Sequence, residues 1–266
     1  MRSKHSFQPL GLWALGLMAL MFSPSVARAQ AQSAAVSGQT ATQVLTNSLN
    51  AMGGAAAWSQ VIDATVTGSC ASTVNGSDQT PYSFIWISAQ NEFRYESDPG
   101  ANSSVMLSGH GKPKIISASD QRFVTNETVD LLRPFHLPGL VLAAELADSH
   151  YSASIVGLET VLGEATVHTR IVHRLAVAPQ LGSTQDWWFD ASTNLPVKVM
   201  YLIPGQTLEE YMPMTVLFSN WSAAKGALLI PHQLSQSLGE GIDQQSCSVN
   251  EVQTNTQPAP ALFDAR

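Results

Sequence analysis

The feature that most constrains the fold is an alternation of apolar and polar residues with a period of two, recurring from about residue 64 to residue 253. Successive side chains of a β-strand point to opposite faces, so this period indicates strands with one buried face. The segments are rich in β-branched and aromatic residues, and Gly, Pro, Asn and Asp divide them at turns. Clear examples are residues 82–88, 92–96 and 185–190. The pattern predicts about eleven strands, joined mostly by hairpins in an antiparallel sheet.

A single helix is expected before the strands. Thr40 and Gln43 have the spacing of a capping box, in which each side chain bonds to the other residue's backbone N–H. Leu45, Leu49 and Met52 follow at the spacing of one helical face, and two glycines then stop the turn. The sequence therefore predicts an N-terminal amphipathic helix of about a dozen residues.

Residues 134–148 interrupt the strand pattern with an apolar run. Pro138 suits a first helical turn, because its missing N–H would be unpaired there anyway. Leu140, Leu142 and Leu146, with their apolar neighbours, spread around most of a helix circumference. Such a helix is either nearly enclosed or lies over an apolar surface. We expect a central helix that covers the sheet.

The first 29 residues have the form of a secretory signal peptide. Arg2 and Lys4 precede an uncharged run at residues 10–22, and the A-x-A pattern of a cleavage site ends at Ala29. No later stretch is apolar enough to span a membrane. We expect an exported protein, periplasmic or secreted, with a flexible lead-in at residues 30–40 and a single domain at residues 41–266.

The charge balance excludes two broad classes. The 266-residue chain has 13 basic and 20 acidic residues, and losing the signal peptide would shift its net charge from −7 to −10. Nucleic-acid binders need clustered basic residues, so no nucleic-acid partner is expected. Charged residues are only 12% of the chain while 44% is hydrophobic, a balance opposite to that of disordered chains.

Two cysteines, Cys70 and Cys247, remain after export. In an oxidising compartment an isolated pair is usually a disulfide, and two buried free thiols are the alternative. Two cysteines without spaced histidine partners do not form a zinc site. His168 and His173 are five residues apart on one strand, so they face opposite sides and cannot share a metal ion. No metal and no cofactor are expected.

The order of these signals resembles a known family. The N-terminal helix ending in Gly-Gly is followed by aromatic hairpins and by the G-x-E-x-x-x-G form at residues 157–163. WFDASTNLPVK then spans residues 188–198, FSNWSAAKGALLIP spans 218–231, and Phe263 lies near the chain end. Over residues 41–263, this resembles the LolA/LolB-like superfamily of outer-membrane lipoprotein-sorting carriers.

The resemblance implies a mainly β fold with a single, strongly curved antiparallel sheet. Such a sheet is an unclosed half-barrel whose concave face holds acyl chains under an N-terminal helix and a central plug helix. The sequence departs from the family in its greater length and in the absence of a lipidated cysteine, which excludes the membrane-anchored branch. No residue matches the carriers' functional arginine; Arg94 and Arg170 are mid-strand candidates only.

Aromatic residues concentrate in two predicted hairpins. Trp187 shares a strand face with Phe189, and Trp188 lies on the opposite face. Ordinary core packing is one explanation for the cluster, and a pocket for a hydrophobic ligand is the other. The candidate lining residues are Phe84, Trp86, Phe93, Tyr95, Leu140, Leu142, Leu146, Trp187 and Phe189.

No catalytic signature is present. The sequence lacks H-E-x-x-H, G-x-S-x-G and a phosphate-binding loop. We therefore expect no catalytic residues and a non-enzymatic carrier for a lipid, a lipoprotein acyl chain or another hydrophobic ligand. The alternatives are a structural or assembly module that contacts envelope or outer-membrane proteins and, less favoured, a secreted hydrolase.

Overall fold

The structure is a computed structural model. It describes residues 38–74, 77–89, 92–98, 104–108, 114–116, 121–123, 137–173, 184–204, 211–224, 227–239 and 243–264. The predicted signal peptide and the lead-in up to residue 37 lie outside the described residues. Within the described ranges, no helix is long and apolar enough to cross a membrane.

Helices form at both predicted places. The helix α1 spans Ala41–Ala51, and α3 spans Pro138–Ala147. The capping box is present: the Thr40 hydroxyl accepts the Gln43 N–H at 3.2 Å, and the Gln43 side chain accepts the Thr40 N–H at 2.7 Å. A five-residue helix, α2 (Ala55–Ser59), was not predicted, and a 3-10 helix at Pro260–Phe263 lies near the chain end.

Fourteen strands are present in the described residues, more than the eleven expected. The sequence did not predict the two-residue strand β2, and β6 and β7 have only three residues each. In chain order they are β1 Asp63–Val74, β2 Ser77–Asp78, β3 Tyr82–Ala89, β4 Glu92–Ser97, β5 Ser104–Ser108, β6 Lys114–Ile116, β7 Gln121–Phe123, β8 Tyr151–Val161, β9 Glu164–His173, β10 Thr184–Asp190, β11 Pro196–Pro204, β12 Tyr211–Ala223, β13 Leu229–Leu238 and β14 Asp243–Thr254.

The strands form one antiparallel sheet made of two meanders. One meander runs from β3 to β7, and the other runs from β14 back to β8. They join where β1 pairs with β14, so the first and last long strands lie side by side in the interior of the sheet. Within the described residues, β7 and β8 are the two edge strands of the sheet and do not pair with each other. The predicted unclosed half-barrel is confirmed.

Local turn chemistry explains the hairpins of the second meander. Leu162 and Gly163, both at positive φ, make the two-residue turn between β8 and β9. Positive φ at both turn residues is the geometry of hairpin turns whose twist matches the twist of the flanking strands. A bulge between Ile155 and Gly157 shifts the register of β8. Asp190 initiates the β10–β11 turn, as predicted, because its carboxylate accepts bonds from the backbone N–H groups of Ser192 and Thr193.

A disulfide bond links the two meanders where β1 pairs with β14. Cys70 lies directly opposite Cys247 in the β1–β14 pair, and the two form a disulfide with their Cα atoms 4.0 Å apart. Both cysteines are buried. At one end of the same pair, the Asp63 carboxylate accepts the backbone N–H groups of Thr256 and Gln257. Two separate contacts therefore fasten the C-terminal strand to the first one.

The helices cover the inner face of the sheet, defined as the face that carries Trp86 and Trp187. In chain order α3 lies between β7 and β8, the strands at the two ends of the sheet. It packs against α1 and α2, while α1 also contacts β8 and β9. Leu49, Trp58 and Leu142 join the inner-face side chains in one hydrophobic core.

Candidate functional site

The first half of the inner face carries one aromatic group. Phe84 and Trp86 on β3 lie beside Phe93 and Tyr95 on β4, all on the same side of the hairpin. The rings of Phe84 and Tyr95 are stacked at 6.0 Å, and those of Trp86 and Phe93 meet edge to face at 6.0 Å. Phe84, Trp86 and Phe93 are buried, whereas Tyr95 keeps partial exposure.

The second half carries another aromatic group, separated from the first by β1, β14 and β13. The Trp187 ring stacks on Phe189 at 6.0 Å and on Phe218 of β12 at 6.1 Å. The Trp187 indole N–H donates to the Gln185 side chain at 2.9 Å. Trp188 lies on the opposite face of β10, because successive residues of a strand point to opposite faces of the sheet. Phe218 was not among the predicted lining residues.

The three predicted helix residues lie where α3 meets this interior. Leu142 is fully buried in the core, and Leu140 and Leu146 are partly buried against it. The buried face of α3 consists of Pro138, Gly139, Val141, Leu142 and Glu145. The structure therefore places all nine predicted lining residues in or against one hydrophobic core.

That interior contains a carboxyl group that the sequence reading missed. Glu145 is only 6% exposed, and neither of its carboxylate oxygens has a hydrogen-bond partner among the described residues. Burial raises the pKa of Glu145 to about 8, and the nearby Gln185 side chain only partly opposes the shift. At neutral pH the group is therefore mostly protonated and can donate a hydrogen bond. The hydroxyls of Ser48 and Thr169 are likewise buried and unpaired.

The outer face of the second meander holds a polar network. The His168 ring lies between two carboxylates, with Nδ1 2.7 Å from Glu159 and Nε2 3.0 Å from Asp186. The guanidinium of Arg170 donates two bonds to Asp186, at 2.8 and 3.0 Å. Burial opposes ionisation of Asp186, but the bonds from Arg170 and His168 outweigh it and lower the pKa of this carboxyl.

Trp188 completes the outer network. Its indole N–H donates to Glu159 at 2.7 Å, and its ring stacks on His168 at 4.2 Å. The ammonium of Lys198 lies 4.1 Å from the ring centroid, within the range of a cation–π contact. The period of two places the network residues of each strand on one face, but the register of the neighbouring strands β8 to β11 was needed to bring them together.

Neither arginine considered for the family's functional position points to the interior. Arg170 binds Asp186 on the outer face. Arg94 pairs with Glu96 and donates to the Leu262 carbonyl at 3.1 Å, so it ties β4 to the 3-10 helix. His168 and His173 do not share a site, because His168 belongs to the outer network while the ring of His173 contacts Tyr151 at 4.7 Å.

Comparison with known proteins identifies the fold. No family model and no curated protein sequence matches the chain. Among solved structures, a LolA superfamily protein from Nitrosomonas europaea superposes with a TM-score of 0.56 at 12% identity, over 85% of this chain and 99% of that one. A DUF1329 family protein from Desulfovibrio piger gives 0.54 at 12% identity, over 82% and 95% of the two chains.

A third structure agrees with these two. A domain from Vibrio parahaemolyticus, named for outer-membrane lipoprotein sorting, superposes with a TM-score of 0.52 at 12% identity, over 83% of this chain and 97% of that one. The three likenesses cover almost the whole of each compared structure. At this level of identity they establish architecture. The chain therefore has a LolA-like fold.

Proposed function

We propose that this protein is exported to the periplasm, or secreted, and binds a lipid, a lipoprotein acyl chain or a similar hydrophobic ligand without catalysing a reaction. The observation that carries the proposal is the placing of two aromatic groups on one face of an unclosed sheet, in one core with the apolar helix α3. Ligand sites are mostly apolar and aromatic, with a few polar groups that fix orientation. The sorting role in the name of the Vibrio parahaemolyticus domain supports the same function.

The ligand we expect has an apolar body and a polar group. An unpaired buried polar group costs about 1–3 kcal/mol, so a ligand that bonds to Glu145 would recover that energy. A protonated carboxyl donates to an acceptor, such as the carbonyl of an ester or amide.

The first test is mass spectrometry of the lipid retained through native purification, together with titration of a fluorescent fatty-acid probe. Leu140→Gln and Leu146→Gln change partly buried residues that pack against the core. Leu162→Gln is the matched control, because Leu162 is 70% exposed at the β8–β9 turn. We expect several-fold weaker probe binding in the first two variants and no change in the control. A protein that retains no lipid and binds no probe would refute the proposal.

A second candidate is an envelope interaction module, favoured by exposed apolar residues on β8. Val156 and Leu158 are 49% and 48% exposed, and β8 is the last strand of the sheet in the described residues. Unpaired strand edges are templates for pairing with another chain. An envelope protein that binds the wild type and is lost with Val156→Asp and Leu158→Asp would support this function. Retention of lipid with no such partner would favour the carrier.

A further inference from the structure

Three side chains capable of binding a metal meet at the end of α3. Asp148 is the residue that caps this helix, His150 follows in the turn before β8, and His173 is the last residue of β9. The register of the hairpin explains the meeting, because Tyr151, next to His150, lies directly opposite His173. One ligand atom from each of the three residues lies within 4.8 Å of the other two.

The distances suit a small cation after minor adjustment. His150 Nδ1 lies 2.8 Å from one Asp148 oxygen, and His173 Nε2 lies 3.9 Å from the other. A tetrahedral zinc ion with bonds of about 2.0–2.2 Å holds its ligand atoms roughly 3.3–3.6 Å apart. The two separations involve different Asp148 oxygens, one shorter and one longer than this range, so small side-chain rotations would bring all three residues onto one ion. The His150 side chain is 51% exposed, so its ring can rotate to close the remaining difference without disturbing the core.

The local electrostatics also favour a cation. Asp148 carries a carboxylate, and the backbone N–H of His150 donates to one of its oxygens at 2.8 Å. Asp148 lies at the C-terminal end of α3, where the unpaired carbonyls carry partial negative charge. The Tyr151 ring packs on His173 at 4.7 Å and restricts its orientation. All three ligands are partly exposed, so an ion can enter from solvent.

We propose that Asp148, His150 and His173 form a binding site for a divalent transition-metal ion, with Zn²⁺ as its principal occupant. Two imidazoles and one carboxylate are ligands that zinc commonly takes, and water would complete the coordination. The ion would join the end of α3 to the β8–β9 hairpin. Because α3 covers the interior, metal binding would stabilise the covered arrangement. This inference is independent of the identity of any ligand inside.

The direct test is a zinc titration of the full chain, purified without a histidine tag, in competition with a chromophoric chelator. We expect one equivalent of Zn²⁺ to bind, and His150→Ala or His173→Ala to weaken the affinity by about tenfold or more. Asp148→Asn should have a similar effect. His232→Asn is the matched control, because it removes an imidazole on β13, away from this cluster. Equal affinity in all variants, or no zinc binding by the wild type, would overturn the proposal.

A second measurement separates the metal site from simple surface binding. Amide hydrogen exchange in the last turn of α3 should slow several-fold when one equivalent of Zn²⁺ is added to the wild type. The double variant His150→Ala/His173→Ala should fold, since His150 is exposed and His173 lies at a strand end, and its exchange should not respond to Zn²⁺. Zinc binding without any slowing at α3 would refute the proposed link between helix and hairpin.

Discussion

Gly139 of α3 lies directly against the indole ring of Trp58 in α2. A methyl group added at Gly139 would lie 2.2 Å from Trp58 Cε2, far inside van der Waals contact. Trp58 is itself only 1% exposed, and its N–H donates to the Met52 carbonyl at 3.0 Å. The helix that covers the interior is therefore positioned by an aromatic ring from a five-residue helix that the sequence did not predict.

This contact predicts that Gly139→Ala lowers the free energy of unfolding by about 1–3 kcal/mol, because the indole has little room to move in a packed core. Denaturant unfolding followed by tryptophan fluorescence measures the change. Gly157→Ala is the matched control, since no atom of the described residues lies within 4 Å of a methyl group at Gly157. Equal stability of the two variants would contradict the expectation.

The buried Glu145 predicts a stability that falls as pH rises. Its folded pKa is raised to about 8 from an ordinary value of 4.5, so the unfolded chain releases this proton at lower pH than the folded one. The proton held by Glu145 in the fold therefore contributes its full stabilisation below pH 4.5. This contribution to the free energy of unfolding, on the order of 3–5 kcal/mol, is lost by about pH 8. Glu145→Gln should remove this slope, making the variant more stable than the wild type at pH 8. Glu164→Gln, at the exposed first residue of β9, should leave the slope unchanged. Parallel curves for wild type and Glu145→Gln would contradict the assignment.

The disulfide between Cys70 and Cys247 spans 177 residues of sequence. Breaking it returns entropy to the unfolded chain, so Cys70→Ala/Cys247→Ala should lower the free energy of unfolding by about 2–5 kcal/mol. Denaturant unfolding with and without a reducing agent provides the measurement. The reductant should destabilise the wild type and have no effect on the double variant. A wild type insensitive to complete reduction would argue against this role.

The outer network predicts a loss of stability in acid. The pKa of Asp186 is lowered in the fold, so its bonds to Arg170 and His168 stabilise the protein above the ordinary carboxyl pKa and are lost as pH falls below it. At neutral pH, Asp186→Asn should cost about 1–3 kcal/mol of unfolding free energy, because the variant weakens the charged bonds to Arg170. Thermal unfolding between pH 3 and 7 tests both effects. Asp78→Asn, at an exposed position, should change the curve little, and an equal loss there would point to a general charge effect.

Features with local causes could be predicted from the sequence. The Thr40 capping box, the aromatic β3–β4 hairpin and the turn at Asp190 each depend on residues close in the chain, and each is present. The same period of two placed Trp187 and Trp188 on opposite faces. These predictions succeeded because helix caps, strand periodicity and turns are determined within a few residues.

The sequence by itself determined the alternation that makes this chain a mainly antiparallel β protein and the apolar character of α3. Only the tertiary structure decided which strands meet. Pairing of β1 with β14 joined Cys70 to Cys247, the register of β8, β9 and β10 enclosed His168 between Glu159 and Asp186, and packing of α3 buried Glu145. The physical reason is that a strand with one apolar face can pair with many different strands. The choice among them rests on packing between segments that lie far apart in sequence.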